Sequence, residues 1–259
     1  MTVLGSITAP ELMAWIGKGW WPFCRLAAFF WVLPLFGDGY LQPQIRLLFA
    51  FMLSLMLMPI LPQGPAVDPF SLTSAVLSLE QVLFGAFLAL MLQMLFTTVT
   101  MAGQILSMQM GLSMAVMNDP VNGGSAPLLS QLLWIFVAML FLSWNGHLLA
   151  LDIIVESFRT WPAGHSLYQL DFNVFIQLFA WMFGAALLLA LPAVIAMLLV
   201  NITFGVMNRS APSLNIFALG FPMTMLLGLV SLLLMLANIP GRYLEFSQDV
   251  FTLMRDWIQ

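Results

Sequence analysis

The sequence predicts an all-α, polytopic membrane protein, and three observations support this prediction. Of the 259 residues, 62% are hydrophobic and only 7% are charged, whereas about 25% of the residues in a soluble domain are charged. No Asp, Glu, Lys or Arg occurs in residues 81–118, 120–151, 172–208 or 210–241. Each stretch exceeds the ~20 residues with which a helix crosses a bilayer. Because backbone groups in lipid must pair within their own segment, such apolar stretches predict helices.

Six hydrophobic segments follow one another along the chain, at about residues 12–36, 47–61, 79–117, 128–151, 172–207 and 215–239. The first segment is interrupted by Lys18 and Arg25, and Pro22 and Pro34 predict bends within it. The second segment is short and ends among prolines. The sequence therefore predicts long, kinked helices and helical hairpins.

The third segment is longer than a membrane crossing needs. A straight helix from Val82 to Met117 would measure ~54 Å, against a hydrocarbon core of ~30 Å. Residues 118–127, which are rich in Asn, Gly and Pro, then predict turns. Two alternatives follow: the helix projects from the bilayer, or its end folds back inside a cavity lined by protein.

The carboxyl-terminal part predicts a helical hairpin and a polar tail. Pro192 divides the fifth segment, and the short turn 208–215, which contains Arg209, joins it to the sixth. After Gly241 the chain carries five charged residues, which are typical of an amphipathic or a solvated end.

The sequence contains no pattern that predicts catalysis, and we expect the protein not to be an enzyme. His147, His165 and Cys24 are its only histidines and cysteine, and they form no metal-binding motif. Glycine-rich phosphate loops and nucleophile elbows are also absent from the sequence. We therefore predict no catalytic residue, no metal and no cofactor. The seven basic residues form no patch, which argues against nucleic acid as a partner.

An ion-coupled transporter is a rival interpretation, because such proteins keep ionisable groups near the bilayer midplane. The four long uncharged stretches contain none. Arg25 is the one candidate for an ion pathway, and a snorkelling or partner-paired arginine is the alternative. Asp119, which precedes Pro120, can cap a turn.

Methionines and small residues form rows at helical spacing. Met110, Met114 and Met117 share one face, which predicts either ordinary packing or a deformable apolar seal. Small residues recur every fourth position in two rows, which predict close helix packing within the chain or onto other subunits. These rows are Gly103, Ser107 and Gly111, and Gly220, Thr224 and Gly228.

Several motifs resemble the FliR family of flagellar export-gate proteins. They are GQILSMQMGLSM at 103–114 followed by Asp119 and Pro120, Asn145 to Leu148, Leu191 with Pro192, and NRSAPSLNIFALGFP at 208–222. Arg25 and Pro34 also fit the family pattern. The resemblance covers most of the chain and is weakest at about 60–80 and after 241.

The resemblance implies a core subunit of the type III export gate, intertwined with FliP-like and FliQ-like partners in a hetero-oligomer. Other export-apparatus membrane proteins and membrane lipid would surround it. Unfolded flagellar proteins would pass through its channel, across the bacterial inner membrane at the flagellar basal body. It also implies a FliP-like region at 1–127, helices at 128–241 with a FliQ-like hairpin at about 172–239, and a polar tail at 242–259.

The resemblance further implies two groups of functional residues. A pore plug would occupy about 107–124, with a seal formed by Met110, Gly111, Met114, Met117, Asp119, Pro120, Gly123 and Gly124. Subunit contacts would involve Arg25, Asn208, Arg209, Pro212, Gly220 and Pro222. The corresponding subunit of a virulence injectisome is the alternative function, and a solitary small-molecule transporter is a more distant one.

Overall fold

The computed structural model describes residues 9–37, 41–61, 65, 67–68, 71–112, 128–165, 171–210 and 216–259. These residues are organised as α-helices, as the sequence predicts, and they contain no strand. The seven helices are α1 (Ala9–Val32), α2 (Pro43–Leu57), α3 (Leu72–Gln109), α4 (Leu128–Ser143), α5 (Gly146–Thr160), α6 (Asn173–Ser210) and α7 (Ile216–Ile258).

Local sequence signals account for several helix starts. Pro43 opens α2, where its missing N–H costs no helical hydrogen bond. Before α3, the Ser71 hydroxyl accepts a hydrogen bond from the backbone N–H of Ser74 at 3.1 Å. Before α6, a carboxylate oxygen of Asp171 accepts one from the N–H of Asn173 at 2.9 Å. These side chains satisfy N–H groups that have no partner within the helix.

The helix boundaries differ from the sequence prediction at several places, of which three affect the candidate sites or the tail. The predicted third segment reaches 117, but α3 ends at Gln109. The fourth segment is divided into α4 and α5, with a bend of 68° at the break, where Asn145 adopts a left-handed φ of 56°. The last segment was predicted to end at 239, but α7 continues through the polar tail to Ile258.

The described residues contain fewer spanning helices than the six predicted segments suggest. Three helices, α3, α6 and α7, are long and apolar enough to cross a membrane, and α4 with α5 together form a fourth candidate. Helix α2 has 15 residues, fewer than the ~20 that a crossing needs. Length therefore excludes α2 as a complete span.

The chain divides into two compact units, and the first contains Met1–Gln93, Asn145–Phe175 and Asp249–Gln259. Its core includes an aromatic cluster, in which the ring of Trp257 lies 5.0 Å from Phe84 and 5.6 Å from Phe175. Phe87 lies 4.9 Å from Phe175 in the same cluster. Met254 and Ile258 of the tail are also buried, so this end of α7 is amphipathic rather than solvated.

The second unit contains Met94–Trp144 and Ile176–Gln248. In its core, Phe96 and Phe141 meet edge to face at 5.4 Å. Gly103 of α3 lies against α4, where an added Cβ would lie 3.2 Å from the Leu129 carbonyl oxygen. The row of small residues that begins at Gly103 thus packs within the chain, because Ser107 is buried as well.

Trp257→Ala should destabilise the first unit by about 3 kcal/mol, because it removes a buried aromatic side chain from a packed cluster. Thermal unfolding of the purified protein in mild detergent measures the effect. Thr252→Ala, at an exposed position of the same helix end, is the control. Equal unfolding temperatures for the two variants would mean that the tail does not stabilise this core.

Candidate functional site

Arg25 forms the centre of a buried polar site in the first unit, although it lies in the apolar helix α1. Its side chain is fully buried. Nε donates to the side-chain oxygen of Gln81 at 2.9 Å. Nη1 donates to the carbonyl and hydroxyl oxygens of Ser157 at 2.8 and 3.0 Å, and Nη2 donates to the carbonyl oxygen of Trp161 at 2.8 Å. Four of the five guanidinium donors therefore have partners.

Two aromatic rings, one from α3 and one from α5, lie against the guanidinium. Its Cζ lies 4.4 Å from the ring centroid of Phe84 on α3 and 4.3 Å from that of Phe158 on α5. Both distances are within the range of a cation–π interaction. Within the described residues no carboxylate lies within 4 Å of Arg25.

The carboxyl-terminal end of α5 takes the place of a carboxylate. The last carbonyl groups of a helix have no partner within the helix and carry a partial negative charge. Ser157 lies in the last turn of α5, and Trp161 follows its final residue. Arg25 thus donates to two carbonyl oxygens at this helix end, of which that of Ser157 also accepts the N–H of Trp161 at 3.0 Å. The partial negative charge of these carbonyl groups stabilises the positive charge of Arg25.

Gly85 allows α1 and α3 to approach closely beside this site. A Cβ added at Gly85 would lie 2.9 Å from the carbonyl carbon of Arg25, closer than real side chains allow. Any larger residue at this position would push the backbone of α1 away. The position of Arg25 therefore depends on a glycine one helix away.

The predicted role of Arg25 as a subunit contact stays a prediction. The contacts that it makes with the described residues lie inside the chain, so an effect on assembly would have to act through the helices that it joins. Sequence reasoning missed the residues around it. Gln81 directly follows Glu80, and Ser157 directly follows Glu156, so no pattern in the sequence distinguishes them from other polar residues.

A second candidate site lies at the end of α3, where the predicted plug begins. Gly111 has a left-handed φ of 75°. The N–H of Gly111 donates to the Met108 carbonyl at 3.0 Å, and that of Leu112 donates to the Ser107 carbonyl at 3.1 Å. These two bonds form a Schellman motif, which ends a helix at a glycine. The chain therefore leaves the helix direction at Gly111.

Met110 is held in a notch of the second unit beside this turn. Only 1% of its surface is exposed. A Cβ added at Gly228 of α7 would lie 2.5 Å from the Met110 sulfur and 2.6 Å from the Met197 methyl carbon. Gly228 thus provides the space in which Met110, which directly follows α3, and Met197 of α6 meet α7.

The other predicted site residues are placed as follows. Arg209 is exposed in the last turn of α6, and Asn208 precedes it. Gly220 and Pro222 lie in the first part of α7, where a Cβ at Gly220 would meet open space and Pro222 is exposed. Met114, Met117, Asp119, Pro120, Gly123, Gly124 and Pro212 lie outside the described residues.

Sequence comparisons connect this architecture to known proteins. Residues 16–250 match the protein family described as "Bacterial export proteins, family 1". The chain belongs to this family. The flagellar biosynthetic protein FliR of Escherichia coli K12 is 32% identical over 257 residues, which cover 98% of this chain and 97% of that protein. FliR of Buchnera aphidicola subsp. Baizongia pistaciae is 34% identical over 234 residues, with 89% and 90% covered.

A more distant relative is FliR of Bacillus subtilis 168, which is 29% identical over 221 residues, with 84% of this chain and 85% of that protein covered. The resemblance to the FliR family is therefore confirmed along most of the chain. Membership of this family of bacterial export proteins, together with the long apolar helices, identifies a membrane component related to flagellar protein export.

Arg25→Lys should destabilise the first unit by about 2 kcal/mol or more, because an ammonium group cannot reproduce the planar fork of donors between two rings. Thermal unfolding in mild detergent measures the loss. Arg159→Lys, on the exposed side of α5, should change stability by less than about 0.5 kcal/mol. A wild-type unfolding temperature for Arg25→Lys would contradict the importance assigned to this site.

Gly228→Val should destabilise the second unit by about 1–3 kcal/mol, because its side chain would overlap Met110 and Met197. Adding Met110→Ala should recover part of that loss by clearing the notch, and a double-mutant cycle measures the coupling. Gly184→Val is the matched control, since a Cβ there meets nothing within 4 Å. Additive effects of the two substitutions would argue against direct contact.

Proposed function

We propose that this chain is a core, non-enzymatic subunit of the flagellar type III export gate. In this proposal it forms, with FliP-like and FliQ-like subunits, the channel through which unfolded flagellar proteins cross the bacterial inner membrane at the basal body. Its family membership supports a role in export. The observation that favours an intertwined subunit is that its apolar helices are longer than the hydrocarbon core of a bilayer is thick.

The length of the apolar helices supports partner proteins as their surroundings. Helices α3 and α6 each contain 38 residues, which correspond to ~57 Å at ~1.5 Å per residue. The uncharged part of α7, residues 216–241, corresponds to ~39 Å. All three lengths exceed a hydrocarbon core of ~30 Å. In the most apolar windows of α6 and α7 only 28% of residues are buried, compared with 61% in α3.

The faces of α2 lead to the same proposal. Its buried positions are Arg46, Ala50 and Ser54, spaced four residues apart. Its large apolar side chains are exposed, and 71% of the surface of Met56 is accessible. Because α2 is too short to span the bilayer, we infer that subunits of the gate cover most of this apolar surface.

We further propose that residues 107–124 plug the closed channel. The turn at Gly111 redirects the chain as it leaves α3, and the Met110 notch fixes the point from which the segment starts. In this proposal Met110 anchors the plug inside the second unit, while Met114 and Met117 contribute to the apolar seal. Turns within the plug would be formed by Asp119, Pro120, Gly123 and Gly124.

The predicted subunit contacts at the hairpin belong to the same proposal. Arg209 and Pro222 are exposed near the two helix ends that the turn joins, and Gly220 faces open space. In this proposal a partner subunit contacts these residues and also Asn208 and Pro212. Arg25 would contribute through the helices that it holds together.

Two other functions remain as alternatives with distinct expectations. A virulence injectisome subunit would have the same architecture, but its deletion would abolish effector secretion and leave swimming intact. A solitary small-molecule transporter would be active when purified alone in liposomes. The names of the relatives, all of them flagellar proteins, favour the flagellar system.

Complementation of a deletion strain tests the proposed function and the plug together. The wild-type chain should restore swimming and secretion of flagellar proteins, and it should co-purify with other export-apparatus proteins. A chain lacking residues 111–124 should still co-purify with them but increase the leak of small ions by about tenfold or more, because the apolar closure is lost.

The two readouts separate the two parts of the proposal. Swimming that is unaffected by deletion of the whole chain would overturn the flagellar function. Normal secretion without an ion leak in the shortened chain would overturn the plug alone.

A further inference from the structure

A groove of about 640 Å³ lies between α6 and α7 within the second unit. We call it the α6–α7 groove. It is lined by Leu188, Pro192 and Ala193 of α6 and by Met235, Asn238 and Arg242 of α7, among others. A helix of ~10 Å diameter occupies roughly 420 Å³ per turn, so the groove holds little more than one helical turn. Its volume is typical of pockets for small ligands.

The groove is apolar along most of its length and charged at one end. On α7 its lining runs from Ser231 past Arg242 to Phe246, and Arg242 is the first charged residue after the uncharged stretch 210–241. The 11 residue steps from Ser231 to Arg242 correspond to ~16 Å, which is about the thickness of one leaflet of the ~30 Å hydrocarbon core. Its polarity and length therefore match those of a lipid with its headgroup at Arg242.

The charged end carries both signs. Nη1 of Arg242 lies 2.9 Å from a carboxylate oxygen of Glu245, and both side chains are largely exposed. Both residues line the groove. A guanidinium binds phosphate oxygens, and a carboxylate accepts hydrogen bonds from a primary ammonium. This pair is therefore complementary to a zwitterionic headgroup, whereas Glu245 would repel a purely anionic one.

Pro192 adds a polar feature to the apolar wall. Because proline lacks an N–H, the carbonyl group of Leu188 has no donor at the usual helical position. Leu188 lines the groove with Pro192. Ala193 and Ala196 on the following turn carry small side chains, which leave room for an acyl chain beside Pro192.

We propose that the α6–α7 groove binds one acyl chain of a zwitterionic phospholipid that carries a primary amine, with its phosphate at Arg242 and its ammonium at Glu245. The bound lipid belongs to the surrounding membrane. This proposal goes beyond the export function and does not depend on it.

Native mass spectrometry of the full-length chain, purified with its co-purifying partners, tests this proposal. Nanodiscs of phosphatidylethanolamine, phosphatidylglycerol or phosphatidylcholine supply the probe lipids. The wild-type complex should retain phosphatidylethanolamine about fivefold more than either other lipid, which corresponds to one headgroup contact near a surface. Ala196→Phe, which fills the groove, should reduce this retention about fivefold or more. Ala237→Phe, at an exposed α7 position outside the lining, should retain lipid as the wild type does.

The charged pair has its own variants. Arg242→Gln should lower the retention of phosphatidylethanolamine, and Glu245→Gln should shift the preference towards phosphatidylglycerol. Equal retention by Ala196→Phe and wild type would overturn the groove as the binding site. An unchanged lipid preference in Glu245→Gln would overturn the headgroup assignment. A short cross-link from Ala196→Cys to a co-purifying protein would assign the groove to a protein partner and overturn the proposal.

Discussion

The buried charge of Arg25 is the constraint on which the first unit depends. An unpaired guanidinium away from water costs several kcal/mol, and the described residues offer it no carboxylate. The solution uses the backbone: the end of α5 supplies carbonyl oxygens, and Gln81 of α3 supplies an amide oxygen. Because these contacts come from two other helices, α1 must dock against both α3 and α5 for the charge to be tolerated. Gly85 then fixes how closely α1 and α3 approach.

A different kind of interaction organises the second unit. Its close helix contacts at Gly103 and Gly228 involve no charged group, and each depends on a missing side chain. Lipid is as apolar as the helix surfaces, so no hydrophobic effect drives the helices together, and close packing is a main source of attraction between them. Met110 adapts to the notch at Gly228 because its side chain is unbranched and flexible. The position at which α3 turns is therefore set both by the backbone of Gly111 and by the packing of the residue before it.

The sequence predicted the helices well but not where they bend or what their polar residues contact. Long uncharged stretches identify α3, α6 and α7, because hydrophobic composition alone determines such helices. The break at Asn145 was missed, since a single left-handed residue leaves no mark on hydropathy. The importance of Arg25 was recognised, but Ser157 and Trp161 lie more than 130 residues away in sequence. The burial of Trp257 was missed because Arg255 and Asp256 precede it, although the apolar residues 250, 254 and 257 recur at helical spacing.

The remaining surface connects the structure to its function. Large apolar residues are exposed on α2, α6 and α7, whereas α6 buries alanines such as Ala186 and Ala190. In a soluble protein these exposed apolar residues would cause aggregation. In lipid alone the apolar helices would be longer than the hydrocarbon core is thick. Both difficulties are resolved if subunits of an assembly cover the apolar faces, with lipid in grooves that no helix fills. Small residues inside bring the chain's own helices close together, and large residues outside then provide the area that partners can bury.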